Sequence, residues 1–173
     1  MELTIINKKK QVVYKTRHQS YPETNSIQRD EVDSQENAFY QTTTREIKVP
    51  DLYINDHSLR VVNDIHLQTS VPEAFPSLFF VRQGQIKTKF HFHDEKVQFS
   101  GGKHSFLFNA FSSEDSYLKQ QDRLSMFIVS FSPAYFLKVA EAAGAPMEVI
   151  ANSIAGNNPG MYENNHGLSI TSR

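Results

Sequence analysis

Histidine is the residue in this chain best placed to do chemistry. Of seven histidines, His66, His91, His93 and His104 fall where the sequence reads as strands. A His-x-His pair on one strand, an acid shortly after it and a third histidine on a later strand can hold a transition metal and leave positions open for oxygen or substrate. His91-Phe92-His93, Glu95, His104 and, as a further donor, His66 supply those residue types.

That arrangement is the metal pattern of cupin barrels, and the spacing here departs from it: six residues separate Gly84 from His91, and a single residue separates His93 from Glu95. The strand that must carry the pair argues more strongly against a metal. From Gln85 to His93 the residues alternate, so Ile86, Thr88, Phe90 and Phe92 share one face and Lys87, Lys89, His91 and His93 the other. Turning the histidines inward would bury two ammonium groups at several kcal/mol each, whereas exposing two phenylalanines forfeits roughly 1.5–3 kcal/mol apiece. Rings inside and histidines in water is the expected arrangement, with no metal and no cofactor. No Gly-x-Ser-x-Gly elbow, phosphate-binding glycine loop or paired strand carboxylates occur. The expectation is therefore a protein that is not an enzyme, with a metal-dependent enzyme using His91, His93 and His104 as the alternative.

Aromatic residues supply the other candidate site. Twelve of the thirteen phenylalanines lie between Phe75 and Phe136. A barrel lined by Phe80, Phe90, Phe92, Phe106, Phe108 and Met126 suits a small organic ligand, although such rings also serve as plain core. Arg82 ends the strand Leu78-Phe-Phe-Val-Arg82 and, sharing a face with Leu78 and Phe80, would stand at the mouth of that cavity to fork onto a carboxylate, phosphate or sugar hydroxyl. These seven residues are the candidate ligand-binding set.

The elements that must position them are mostly strands. Residues 1–18 read as a hairpin around Asn7-Lys-Lys-Lys10, and Pro22 to Ala38 as a flexible polar loop too poor in apolar residues to offset its ordering entropy. Strands are expected at 42–49, 52–54, 59–62, 64–68, 78–82, 85–93, 96–100, 104–109 and 124–131, with glycines at the turns between several of them. Leu124 to Phe131 is apolar on both faces, so both must be covered, and the helices that follow are the nearest cover. Ser132-Pro133 caps the first helix, in which Phe136, Leu137, Val139, Ala140 and Ala143 recur at helical spacing; a second runs from Met147 to Ile154. Phe136, Leu137, Val139 and Ala143 are the candidate dimer interface. The division is 1–41 arm and loop, 42–131 barrel, 132–156 helices and 157–173 linker. Many short strands without a helical period between them indicate a mainly β, cupin-like jelly-roll barrel or sandwich with two short C-terminal helices.

Composition sets the outer limits. The 173 residues suffice for one core, the absence of cysteine excludes disulfides and thiolate chemistry, and a formal charge of −1 gives no field for polyphosphate or anionic membrane. No signal peptide or ~20-residue apolar span is present, so a cytoplasmic protein without a membrane partner is expected.

Phe79 to Gly84, then Gly101-Gly-Lys-His-Ser-Phe-Leu-Phe-Asn109, then Leu124-Ser-Met-Phe-Ile-Val-Ser-Phe-Ser-Pro-Ala-Tyr-Phe-Leu137 resemble the amino-terminal, cupin-like regulatory domain of AraC-type transcription factors. The likeness runs from about Thr42 to Thr171. It implies a metal-free barrel that binds an unknown small effector, pairs as a homodimer and passes its state to a carboxy-terminal helix-turn-helix domain, which would make the only DNA contacts. No such domain is legible between Ser132 and Arg173, so the chain is expected to be the sensory part alone. A carbohydrate-binding or purely structural β-sandwich is the remaining reading.

Overall fold

Period-two patterning builds most of the chain into strands, as the computed structural model shows for residues 2–7, 10–17, 29–70, 74–92, 94–110, 113–143, 145–162 and 168–169. In chain order these are β1 (Glu2–Ile6), β2 (Val12–Arg17), β3 (Arg29–Glu36), β4 (Tyr40–Val49), β5 (Leu52–Val61) and β6 (Ile65–Ser70). Next come β7 (Pro76–Gln83), β8 (Gln85–Phe90), β9 (Val97–Ser100), β10 (Lys103–Phe108), β11 (Ser113–Leu118) and β12 (Gln121–Phe131). Helices α1 (Pro133–Ala143) and α2 (Ala145–Ala155) follow, then β13 (Gly160–Tyr162) and β14 (Leu168–Ser169). Among the described residues the ladders are antiparallel. One sheet runs β2-β1-β6-β11-β8-β9, and the other runs β13-β10-β7-β12-β5-β4-β3, with β14 also on β10. This is the mainly β, two-sheet sandwich with two C-terminal helices that the sequence led us to expect.

Three expectations change. Arg29–Glu36 is a strand and not a loop, because β4 takes its backbone hydrogen bonds along the whole length and Arg45 grips Asp30 through Nε (2.9 Å) and Nη2 (2.7 Å). An edge strand satisfied this way needs little apolar burial. The beginning of the supposed loop, 22–28, lies outside the described residues. Asn55-Asp56 does not break the chain into two strands: β4 and β12 pair with β5 on either side and hold it straight. β11, which the sequence reading did not place, joins β6 to β8.

The main core fills the space between the sheets, with Ile5, Val61, Val81, Phe90, Val97, Leu118 and Leu124 almost wholly buried. A second cluster lies on the opposite side of the larger sheet, where Phe106 and Phe108 of β10 meet Phe136 and Ala140 of α1 and Ile150 of α2. β12 serves both layers. Leu124 and Met126 face the sandwich and Phe131 faces the helices, so the strand is covered on both sides.

Between β7 and β8, Gly84 takes a left-handed φ of 82° beneath the irregular start of β12. A Cβ there would lie 2.5 Å from the Arg123 carbonyl oxygen. Gly84→Ala is expected to lower stability by about 1–3 kcal/mol, read as an earlier midpoint in urea; an unchanged midpoint would show that the turn is built differently.

Candidate functional site

The seven candidate ligand residues do not line one cavity. Alternation along β7 puts Val81, 1% exposed, into the sandwich and turns Leu78, Phe80 and Arg82 to the opposite face. Arg82 does share a face with Leu78 and Phe80, but it is the helix-side face. There its guanidinium forks onto Asp56 of β5, so it guards no mouth of the sandwich. Phe106 and Phe108 belong to the helix-covered cluster, and only Phe90, Phe92 and Met126 pack in or against the inter-sheet core. Of the interface candidates, Phe136 is 1% exposed and packs on Phe106 and Phe131 at ring separations of 5.0 and 5.9 Å, so it is spent within the monomer. Leu137 and Val139 are half-buried, and Ala143 ends α1.

The histidines scatter as well. His91 is exposed beside Phe90 and Phe92, whose rings stack at 5.2 Å, and His93 lies outside the described residues. His104 stacks on Phe80 at 5.5 Å on the helix-side face of the larger sheet, with Nδ1 buried and unbonded. His66 lies on the outer face of the smaller sheet, its Nε2 2.7 Å from Asp115 and its ring stacked at 4.4 Å on Tyr117, over which Lys96 sits. Among the described residues no group of three or more metal-binding side chains comes together. The alternative metal set therefore does not assemble from His66, His91 and His104.

What the space between the sheets does hold is a polar set that the sequence reading passed over. On β5, Val61 and Leu59 belong to the core, so the same alternation sends His57 and Asn55 inward. Asn55 is 8% exposed, and its Oδ1 is buried with no hydrogen-bond partner. Such an orphan acceptor costs about 1–3 kcal/mol unless something fills it. His57 bonds Thr44 Oγ1 through Nδ1 at 3.0 Å, and burial pushes its pKa below the ordinary value, so the ring is neutral at pH 7. Glu46, opposite Asn55 on β4, pairs with Lys48 at 3.3 Å.

From the smaller sheet, Ser116 and Leu118 of β11 are buried, and Glu114 lies on their face between Thr69 and Phe90. Burial, and secondarily the charge of Asp115, pushes the Glu114 carboxyl up to about 7. The residue itself is half-buried. By contrast Thr88 and Ser116, one step along the same faces, satisfy each other at 2.8 Å. The unsatisfied Asn55 Oδ1 is thus a specific position and not a general looseness of the polar core. A signal for Glu114 was present in the alternation of Glu114, Ser116 and Leu118; Asn55 was hidden by its reputation as a turn former.

Elsewhere, a shallow groove of about 520 Å³ runs along β3, β4 and β5 to the irregular start of β12, lined by Ser34, Thr43, Arg60, Asp122 and Arg123 among others. It is open and polar, and Arg60 only loosely approaches Asp122, at 3.9 Å.

No protein-family model matches the chain, and no curated protein does. Solved structures share parts of its fold at low identity. The AraC-like transcriptional activator CuxR is 12% identical with a TM-score of 0.46, over 68% of this chain and 45% of that one. Ectoine synthase from P. lautus is 13% identical with a TM-score of 0.40, over 57% and 68%, and Fe(II) HppE is 13% identical with a TM-score of 0.43, over 63% and 62%. This chain thus spans under half the length of CuxR. The expectation that the protein is not an enzyme is corrected here: similar folds include a synthase as well as a transcriptional activator, and an enzymatic role is open. Among the described residues no helix is long and apolar enough to cross a membrane.

Proposed function

We propose that the chain is the effector-binding and dimerisation domain of an AraC-type transcription regulator, with a small molecule bound between the two sheets. The observation that carries this reading is the buried, partnerless Oδ1 of Asn55 on the inner face of a strand bonded directly to β12. β12 touches the inter-sheet space through Met126 and the helix layer through Phe131, and Ser132 then caps α1, its Oγ accepting from Tyr135 N–H at 3.2 Å. A ligand that prefers one setting of β12 therefore biases the helices, a coupling typically worth 1 to 3 kcal/mol. A second copy would dock on the helix layer, where Leu137, Val139 and Ala143 remain candidates and Tyr135 and Val149 are 37% and 45% exposed. DNA contact would belong to a separate helix-turn-helix domain.

The test is a thermal-shift screen of small metabolites against wild type and Asn55→Leu. A ligand at one hundred times its Kd adds about 2.7 kcal/mol of stability, and the leucine variant should lose that response. A ligand that stabilises both proteins equally, or the absence of any ligand, would reject the inter-sheet site. Sedimentation velocity on a concentration series tests the dimer; a monomer at every concentration would reject it.

A further inference from the structure

We infer that the open edges of the two sheets, β2 and β3, form a surface for a second copy of this chain, with β2 of each copy laid along β3 of the other. β2 ends the smaller sheet and β3 ends the larger one, and among the described residues each has a strand on one side only. They lie on the same side of the sandwich. Tyr14 of β2 donates from its hydroxyl to Gln35 Oε1 of β3 at 3.3 Å, and its ring meets that of Tyr40 edge-on at 6.3 Å. The open side of an edge strand carries backbone N–H and C=O groups that another strand can take up. Each edge also shows a bare apolar side chain: Val12 of β2 is 60% exposed and Val32 of β3 67%, more than any other large apolar residue among those described.

Charge selects the occupant. β3 reads Arg-Asp-Glu-Val-Asp-Ser-Gln-Glu, four acids and one base, whereas residues 10–17, which lead into and form β2, contain Lys10, Lys15 and Arg17 and no acid. Two β3 edges would set acid against acid and two β2 edges base against base, and like charges opposed across a ladder destabilise it. Of the self-pairings, only β2 on β3 is complementary. The ion pairs already made, Lys15 with Glu2 at 2.8 Å and Arg45 with Asp30 at 2.7 Å, tie each edge strand to its inner neighbour and leave its other side open. Because both edges lie on one side of the sandwich, a half-turn about an axis along the strands brings β2 of each copy to β3 of the other. One twofold operation thus makes both contacts and closes the pair. A foreign strand would cover a single edge; a second copy covers both. This surface is distinct from the helix layer, which packs at the β10 end of the larger sheet.

Hydrogen exchange read by mass spectrometry at low and high protein concentration, alongside sedimentation velocity, tests the pairing on the full chain. The backbone amides of 12–17 and 29–36 should gain protection as concentration rises, and less so in about 1 M salt, where charges are screened within about 3 Å. Glu31→Lys, Asp33→Lys and Glu36→Lys together make β3 basic, and Lys10→Glu, Lys15→Glu and Arg17→Glu together make β2 acidic. Either triple variant alone should lose the edge protection and weaken this association about tenfold or more. Mixed in equal amounts, the two should pair with each other, since basic β3 then meets acidic β2 and basic β2 meets acidic β3, and protection should return. Misfolded variants would not give that rescue. Triple variants that associate as the wild type does, or a mixture that stays apart, would overturn the inference. So would a wild type whose edge amides stay unprotected at every concentration, including one protected only in α1 and α2, where association would belong to the helix layer alone.

Discussion

Phe136→Ala is expected to destabilise the protein by about 3–5 kcal/mol, the range for emptying a buried phenylalanine site. Phe136 is 1% exposed and lies among Phe106 and Phe131, so the ring is what clamps α1 to the larger sheet. The loss should appear in equilibrium urea unfolding, together with earlier protease cleavage within 133–155, while the far-ultraviolet signature of the sheets persists at low urea. A variant within about 1 kcal/mol of wild type would mean that the helices are not held by this contact. It would also remove the mechanical route from the sandwich to the helix layer.

The second large effect is on the pH dependence of stability. Glu114 has a folded pKa of about 7 against an ordinary value of 4.5. The folded state therefore holds a proton that the unfolded chain has released, and stability falls as pH rises from about 4.5 through 7. The whole penalty is about 3 kcal/mol. Glutamine cannot ionise, so Glu114→Gln should be more stable than wild type by up to that amount at pH 8, with the advantage shrinking towards zero near pH 4.5. Guanidinium unfolding of both proteins at pH 5 and pH 8 measures it; an advantage that does not change with pH would place the carboxyl in water.

Much of the sandwich was legible because its strands carry their own pattern. Gln85 to Phe90 alternates without exception, and its buried residues are the ones the pattern names: Ile86, Thr88 and Phe90 inside, Lys87 outside. The two-faced apolar strand at Leu124–Phe131 correctly demanded cover on both sides, and Ser132-Pro133 correctly began a helix. β3 was missed because its cohesion comes from cross-strand partners such as Arg45 and Thr43, which composition does not show. Asn55-Asp56 misled for the related reason that pairing on both sides overrides a local turn preference.

The site was harder to read than the fold. A sheet with a sandwich on one side and helices on the other has two buried faces, so burial of Phe80, Phe106 and Phe108 could not tell which side they served. Arg82 was placed on the correct face of its strand and on the wrong side of the sheet. Asn55 was overlooked because its interest lies in what it lacks, a hydrogen-bond partner, and only an arrangement in space can show that.

The functional account depends on Asn55 and Glu114 both lying on the inner faces of their sheets. The most direct measurement is the side-chain carboxyl carbon resonance of Glu114, followed by NMR against pH and assigned with Glu114→Gln. The account predicts a midpoint near 7. A midpoint near 4.5 would mean a carboxylate in open water and would contradict the inward placement of this face of β11.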